Sequence, residues 1–122
     1  MVKISPRDRL QIWETEYEQD LKDLQREVGG FIETVYDKFL MSGLVWVVNE
    51  EGKLNDTRFN RLASSLLFPD GDDSIFGDAL IMMEDIDGDD EPFLRPLTPR
   101  ELHRIVVIIT MFMTDEGEAD ET

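Results

Sequence analysis

Apolar positions change period several times along the chain, and each change marks an expected element. Leu10, Trp13, Tyr17, Leu21, Leu24 and Val28 recur at steps of three, four and seven, so the spacing allows one long helix over residues 6–28. Ser5-Pro6-Arg7-Asp8 would open it with a hydroxyl cap, a proline in the first helical position and an acid three residues after the cap. The same residues also permit a strand over 10–17. Leu10 and Ile12 alternate with polar neighbours, and Ile12, Trp13, Thr15 and Tyr17 suit extended backbone. Both readings predict helix over 18–28, where Leu21, Leu24 and Val28 share a face and Gly29-Gly30 supplies a C-terminal stop.

Beyond that stop the pattern turns strand-like over 31–36. Residues 43–48, Gly-Leu-Val-Trp-Val-Val, are apolar almost without interruption, which predicts a central strand buried on both faces. Asn49-Glu50-Glu51-Gly52-Lys53 then reads as a polar turn. A short helix is expected over 57–68, capped by Asp56 or Thr57 and presenting Phe59, Leu62, Ala63, Leu66 and Leu67. A strand over 74–83, an acidic loop over 84–91 and a helix over 98–113 complete the order. Thr98-Pro99-Arg100-Glu101 repeats the capping logic at the start of that last helix. The whole predicts one α+β domain over 1–114, a small mixed or antiparallel sheet of about four strands packed against two to three helices, with 115–122 as an acidic C-terminal tail.

Charge alters this picture more than composition does. The chain carries 28 acids against 12 bases, a net charge of -16. Ten of the acids, Asp70, Asp72, Asp73, Asp78, Glu84, Asp85, Asp87, Asp89, Asp90 and Glu91, fall between Pro69 and Pro92 without a single base, and five more fall in the tail. Such concentration disfavours direct binding to nucleic acid or anionic lipid and favours a basic protein surface. The apolar runs are far short of the ~20 residues that span a membrane. With no cysteine and no signal-like apolar stretch, the expected location is cytoplasmic.

Catalysis finds little support. His103 is the only histidine, so relay chemistry has one imidazole available, on a helix beside Arg104. Glycine-rich phosphate loops and nucleophile elbows are missing from the sequence. The run Asp85-Ile86-Asp87-Gly88-Asp89-Asp90-Glu91 has alternating carboxylates, but its glycine stands fourth rather than sixth and Pro96 occupies the twelfth position, which departs from a calcium loop. The reading is therefore a non-enzyme with no cofactor and no metal. Trp13, Tyr17, Phe31, Tyr36, Trp46, Phe59, Phe68 and Phe76 lack the flanking bases of a nucleic-acid platform and are expected in the core.

Four runs carry a family resemblance: Leu24-Gln25-Arg26-Glu27-Val28-Gly29-Gly30-Phe31-Ile32-Glu33, Val48-Asn49-Glu50-Glu51-Gly52-Lys53-Leu54, Asn60-Arg61-Leu62-Ala63, and Phe76-Gly77-Asp78-Ala79-Leu80. Over residues 10–104 the chain resembles domain of unknown function 3846. The resemblance implies a strand before the first helix, so 6–28 divides into strand and helix. It also implies a phage or mobile-element setting, in which small accessory proteins counter host defence, but it brings no activity with it. Gly29, Gly30 and Gly52 are expected to hold turns, with Asn49 and Glu50 bonding to loop backbone.

The expected function is that of a non-enzymatic, phage-type accessory protein acting in the host cytoplasm. Its carboxylates would imitate DNA phosphates and inhibit a basic host-defence nuclease, of the restriction or CRISPR kind, or another nucleic-acid-binding protein. One alternative is a small-ligand or nucleotide-signal module with a pocket formed by Glu33, Asn49, Glu50 and Asn60. Another is a structural homodimer or larger oligomer built on the helix over 98–113.

Overall fold

The computed structural model describes residues 1–15, 19–52 and 58–120, with side chains through Thr114. The chain runs β1 (Val2–Ser5), β2 (Arg9–Ile12), α1 (Leu21–Val28), β3 (Ile32–Tyr36), β4 (Leu44–Asn49), α2 (Arg61–Leu67), β5 (Ala79–Ile86), β6 (Pro92–Arg95) and α3 (Pro99–Asp120). The strands form one antiparallel sheet in the order β2-β1-β5-β4-β3, and β6 pairs with the far half of β5. The expected α+β class is what the structure has, with six strands in place of about four.

Both faces of the sheet are covered. Leu24 and Val28 of α1 pack with Met1, Val47, Leu80 and Met82 on one face. On the other, α2 and α3 bring Leu62, Leu66, Ile105 and Ile109 against Ile4, Trp46 and Ile81. This explains the unbroken apolar run of β4: Trp46 points into one layer, Val47 into the other, and all six residues are buried between β3 and β5.

Local chemistry fixes the helix ends. Asp20 caps α1 by accepting from the Asp23 amide, Asp23 returns the bond to the Asp20 amide, and Gly29 closes the helix at φ 80°. Thr98 and Glu101 form the expected capping box on α3, at 3.2 and 2.9 Å. Asp37 organises the turn after β3, one carboxylate oxygen accepting from the amides of Phe39, Leu40 and Met41 and the other from Trp46 Nε1.

Several expectations are corrected. Ser5-Pro6-Arg7-Asp8 opens no helix; it is the turn of the β1–β2 hairpin, with Arg7 at φ 69° and Asp8 at φ 57°. The strand expected over 10–17 is β2, ending at Ile12; Tyr17 and the start of the expected helix at Glu18 lie outside the described residues. The cap of α2 is Asn60, and Asp56 and Thr57, named for that role, also lie outside them. The strand expected over 74–83 starts later, at Ala79, and continues through Glu84, Asp85 and Ile86, because β6 folds back to pair with them. Helix α3 continues to Asp120 rather than ending near Met113, since one glycine at 117 is not enough to stop a helix that no proline interrupts. The aromatics are not all core: Trp46 is fully buried, whereas Phe31, Tyr36 and Phe59 are about half exposed or more.

Candidate functional site

The runs that carried the resemblance meet at one end of the sheet, around the chain reversals that lead into β3, out of β4 and into β5. Asn49 is their hinge. Its Nδ2 donates to the Val28 carbonyl at 3.2 Å and its Oδ1 accepts from the Glu51 amide at 2.8 Å, tying the end of α1 to the turn after β4. A side chain at Gly30 would put its Cβ 2.9 Å from Asn49 Nδ2, and one at Gly52 would put it 2.6 Å from the Phe76 carbonyl oxygen. Both glycines are there because neighbouring atoms occupy the space a Cβ needs. Asn60, fully buried, accepts from the Ala63 amide while its Nδ2 donates to the carbonyls of Ile4 and Gly77, each at 2.8 Å. One amide side chain thus joins β1, α2 and the approach to β5.

The chain belongs to the family described as domain of unknown function (DUF3846). Its model matches residues 1–104, which takes in the β1–β2 hairpin as well as the four runs. No curated protein and no solved structure matches the chain.

Within the DUF3846 span, the four residues proposed as a ligand pocket do not all converge. Glu33, Asn49 and Glu50 line one small cavity of about 280 Å³, together with Asp73. Asn60 is absent from that lining and is committed to the three backbone contacts above. The amide of Asn49 is likewise engaged with backbone, and the Glu50 amide donates to the Phe31 carbonyl. Three of the cavity's polar residues are carboxylates, an arrangement that repels anions.

The ten acids fall into three places. Asp70, Asp72 and Asp73 lie on the loop after α2, which runs beside the outer end of β3 and shares a surface hollow with Tyr36 and Phe39. The Tyr36 hydroxyl donates to Glu84 at 2.7 Å, linking that region to the β5–β6 hairpin; the carboxylate holds the phenol proton and raises the Tyr36 pKa above its usual value. Asp85 pairs with Arg95 at 3.0 Å, while Asp87, Asp89, Asp90 and Glu91 form the exposed hairpin tip. There Asp87 accepts from the amides of Asp89 and Glu91, so this carboxylate also shapes the turn. Asp78 stands apart. It approaches Lys3 at 3.9 Å and precedes Ala79, the first residue of β5, which is itself seven strand positions from Ile86, or about 23 Å along β5.

Among the described residues, no three His, Asp or Glu side chains are gathered to hold a metal ion, and no helix is long and apolar enough to cross a membrane. On α3, Leu102, Ile105 and Ile109 enter the core, leaving Val107 and Met111 as its exposed large apolar residues.

The sequence reading passed over a second feature. Lys3, Arg7, Arg9 and Arg58, four of the chain's 12 bases, line one open cleft of about 830 Å³ beside the end of α1. Three of them fall within the first nine residues of a chain otherwise poor in cations, and that was the available signal.

Proposed function

We propose that this protein is a non-catalytic, phage-type accessory protein whose acidic end docks on the cationic surface of a nucleic-acid-binding protein, with a host-defence nuclease as the class of target. The observation that carries the reading is the meeting of two acidic segments at Tyr36. The loop bearing Asp70 and Asp72 shares a hollow with its ring, and Glu84 accepts its hydroxyl proton. Tyr36 is 58% exposed and neighbouring Phe39 56%, so large apolar side chains stand among carboxylates. Acidity needed only for solubility would not call for exposed rings, whereas an aromatic anchor inside a charged rim is the usual make-up of a protein interface. The target's Lys and Arg side chains are already arranged for phosphate, so carboxylates presented at the same surface gain attraction without rearranging the groove.

The test uses acids with no backbone duty. Asp70→Lys, Asp89→Lys and Glu91→Lys combined leave the Asp87 turn and the Asp85–Arg95 pair intact. Immobilised parent protein should retain a basic nucleic-acid-binding protein from host lysate, release it on addition of duplex DNA, and lose it in the triple variant. Equal retention by the variant, or no release by DNA, refutes the reading.

A further inference from the structure

We infer that the cleft at the β1–β2 hairpin is a binding site for a small ligand bearing a diphosphate group. The site lies at the opposite end of β5 from the acidic hairpin and is independent of the docking proposal above. Its cations come from separate parts of the chain. Lys3 projects from β1, Arg7 sits in the hairpin turn, Arg9 opens β2, and Arg58 lies beside the segment entering β5, where its carbonyl accepts from the Gly77 amide. Lys3 is already paired with Glu27 at 3.1 Å. Arg7, Arg9 and Arg58 are exposed, and among the described residues no carboxylate pairs with any of them. In a chain with more than twice as many acids as bases, Lys3 and three guanidiniums that no described carboxylate pairs with stand against the single lining acid Asp78, which leaves the opening net positive.

That field survives the protein's overall charge. The acidic hairpin tip is about 23 Å or more away along β5, roughly three screening lengths at physiological ionic strength. Among the described acids, Asp78 lines the cleft and with Glu27 flanks Lys3, Asp8 pairs with Arg61, and Glu33, Glu50 and Asp73 face the neighbouring cavity on the other side of Asn49. Val28, at the C-terminal end of α1, lines the opening, and its carbonyl accepts from Asn49 Nδ2. Guanidinium forks match phosphate oxygens in pairs, and the three guanidinium charges exceed the roughly -1.5 to -2 charge of one phosphate group, which favours a ligand carrying two. The volume suits a compact ligand, while a long polyanion extending beyond the cleft would meet the carboxylates elsewhere.

Backbone geometry adds a second line. Arg7 holds φ 69° and Asp8 φ 57°, a region where glycine is cheaper by roughly 1 kcal/mol or more. Asp8 is tied there by its pair with Arg61. Among the described residues Arg7 has no such pair, and its side chain lines the cleft.

Calorimetric titration of the intact protein at low ionic strength tests the site, with inorganic pyrophosphate, ADP, sulfate and single-stranded oligothymidylate as probes. Pyrophosphate should bind one to one and about ten-fold more tightly than sulfate, and Arg9→Ala and Arg58→Ala should each weaken it about ten-fold. Arg7→Gly should weaken it similarly while the melting temperature holds or rises, which separates loss of binding from loss of fold. ADP tighter than pyrophosphate assigns the diphosphate to a nucleotide, and equal affinities assign it to the free ion. Pyrophosphate no tighter than sulfate, affinity unchanged in the three variants, or oligothymidylate binding more tightly than either phosphate probe would overturn the inference.

Discussion

Replacing Asn60 by aspartate changes one NH2 to oxygen and leaves the shape of the side chain intact, so it tests whether this residue is a strut or a ligand contact. The acceptor that caps α2, held 3.1 Å from the Ala63 amide, survives the change. The two donors, at 2.8 Å from the Ile4 and Gly77 carbonyls, do not. Each stranded carbonyl in a fully buried site costs about 1–3 kcal/mol, which puts the loss at about 2–6 kcal/mol out of the ~5–15 kcal/mol that holds a domain together. Facing two carbonyl oxygens without water, the new carboxyl prefers its protonated form, which restores one donor. Its folded pKa therefore lies above the unfolded value of about 3.9. The sign follows: the deficit relative to the parent is smallest below about pH 4 and grows as pH rises toward the folded pKa. Urea unfolding followed by circular dichroism at pH 4 and pH 7 measures both quantities. A deficit under about 1 kcal/mol at pH 7, or one that shrinks as pH rises, would refute the strut.

Two further outcomes follow from other contacts. Glu101, gripped by Arg95 through bonds of 2.7 and 3.0 Å, has its pKa lowered from 4.5 to about 2 by that guanidinium. Its contribution is present above pH 4.5 and lost as pH falls toward 2. Glu101→Gln should cost about 1–2 kcal/mol at pH 7 after allowance for partial exposure, with the difference from the parent vanishing near pH 2 in acid-unfolding curves. Gly52→Ala should cost more than Gly29→Ala, because its Cβ would meet a carbonyl oxygen at 2.6 Å while Gly29, at φ 80°, faces open space. Thermal melts should show about 1 kcal/mol for Gly29→Ala and at least twice that for Gly52→Ala.

What could be read from the sequence was whatever a local pattern encodes. Strand β4 announced itself because six consecutive buried positions leave no polar alternation, and α3 because Thr98 and Glu101 are spaced for reciprocal bonds. The first hairpin was misread for a physical reason. Ser5-Pro6-Arg7-Asp8 meets the local requirements of a helix cap and of a turn alike, and the decision rests with β1, four residues long, pairing with β5 some 75 residues away. Strand β6 was hidden likewise, since Pro92 and Phe93 follow a run of acids and become a strand only by lying against Ile86 and Asp85. Asn60 looked like a pocket residue because buried and ligand-binding amides share one sequence appearance; its partners Ile4 and Gly77 are distant in the chain. The cationic cleft escaped because Arg58 reaches Arg7 and Arg9 only once β1 is inserted beside β5.

Strand β5 joins the two charged regions, and its neighbours determine how they can communicate. Its first half is held by β1 on one edge and β4 on the other, and its outer half by β6. From Ala79 to Met83 this backbone is held along both edges and buried on both faces, so that stretch behaves as a strut, not as a spring. Occupancy at one extremity would therefore leave the shape of the other unchanged, and two occupants would sense each other only as charges across salt water. Adding electrolyte would make them independent.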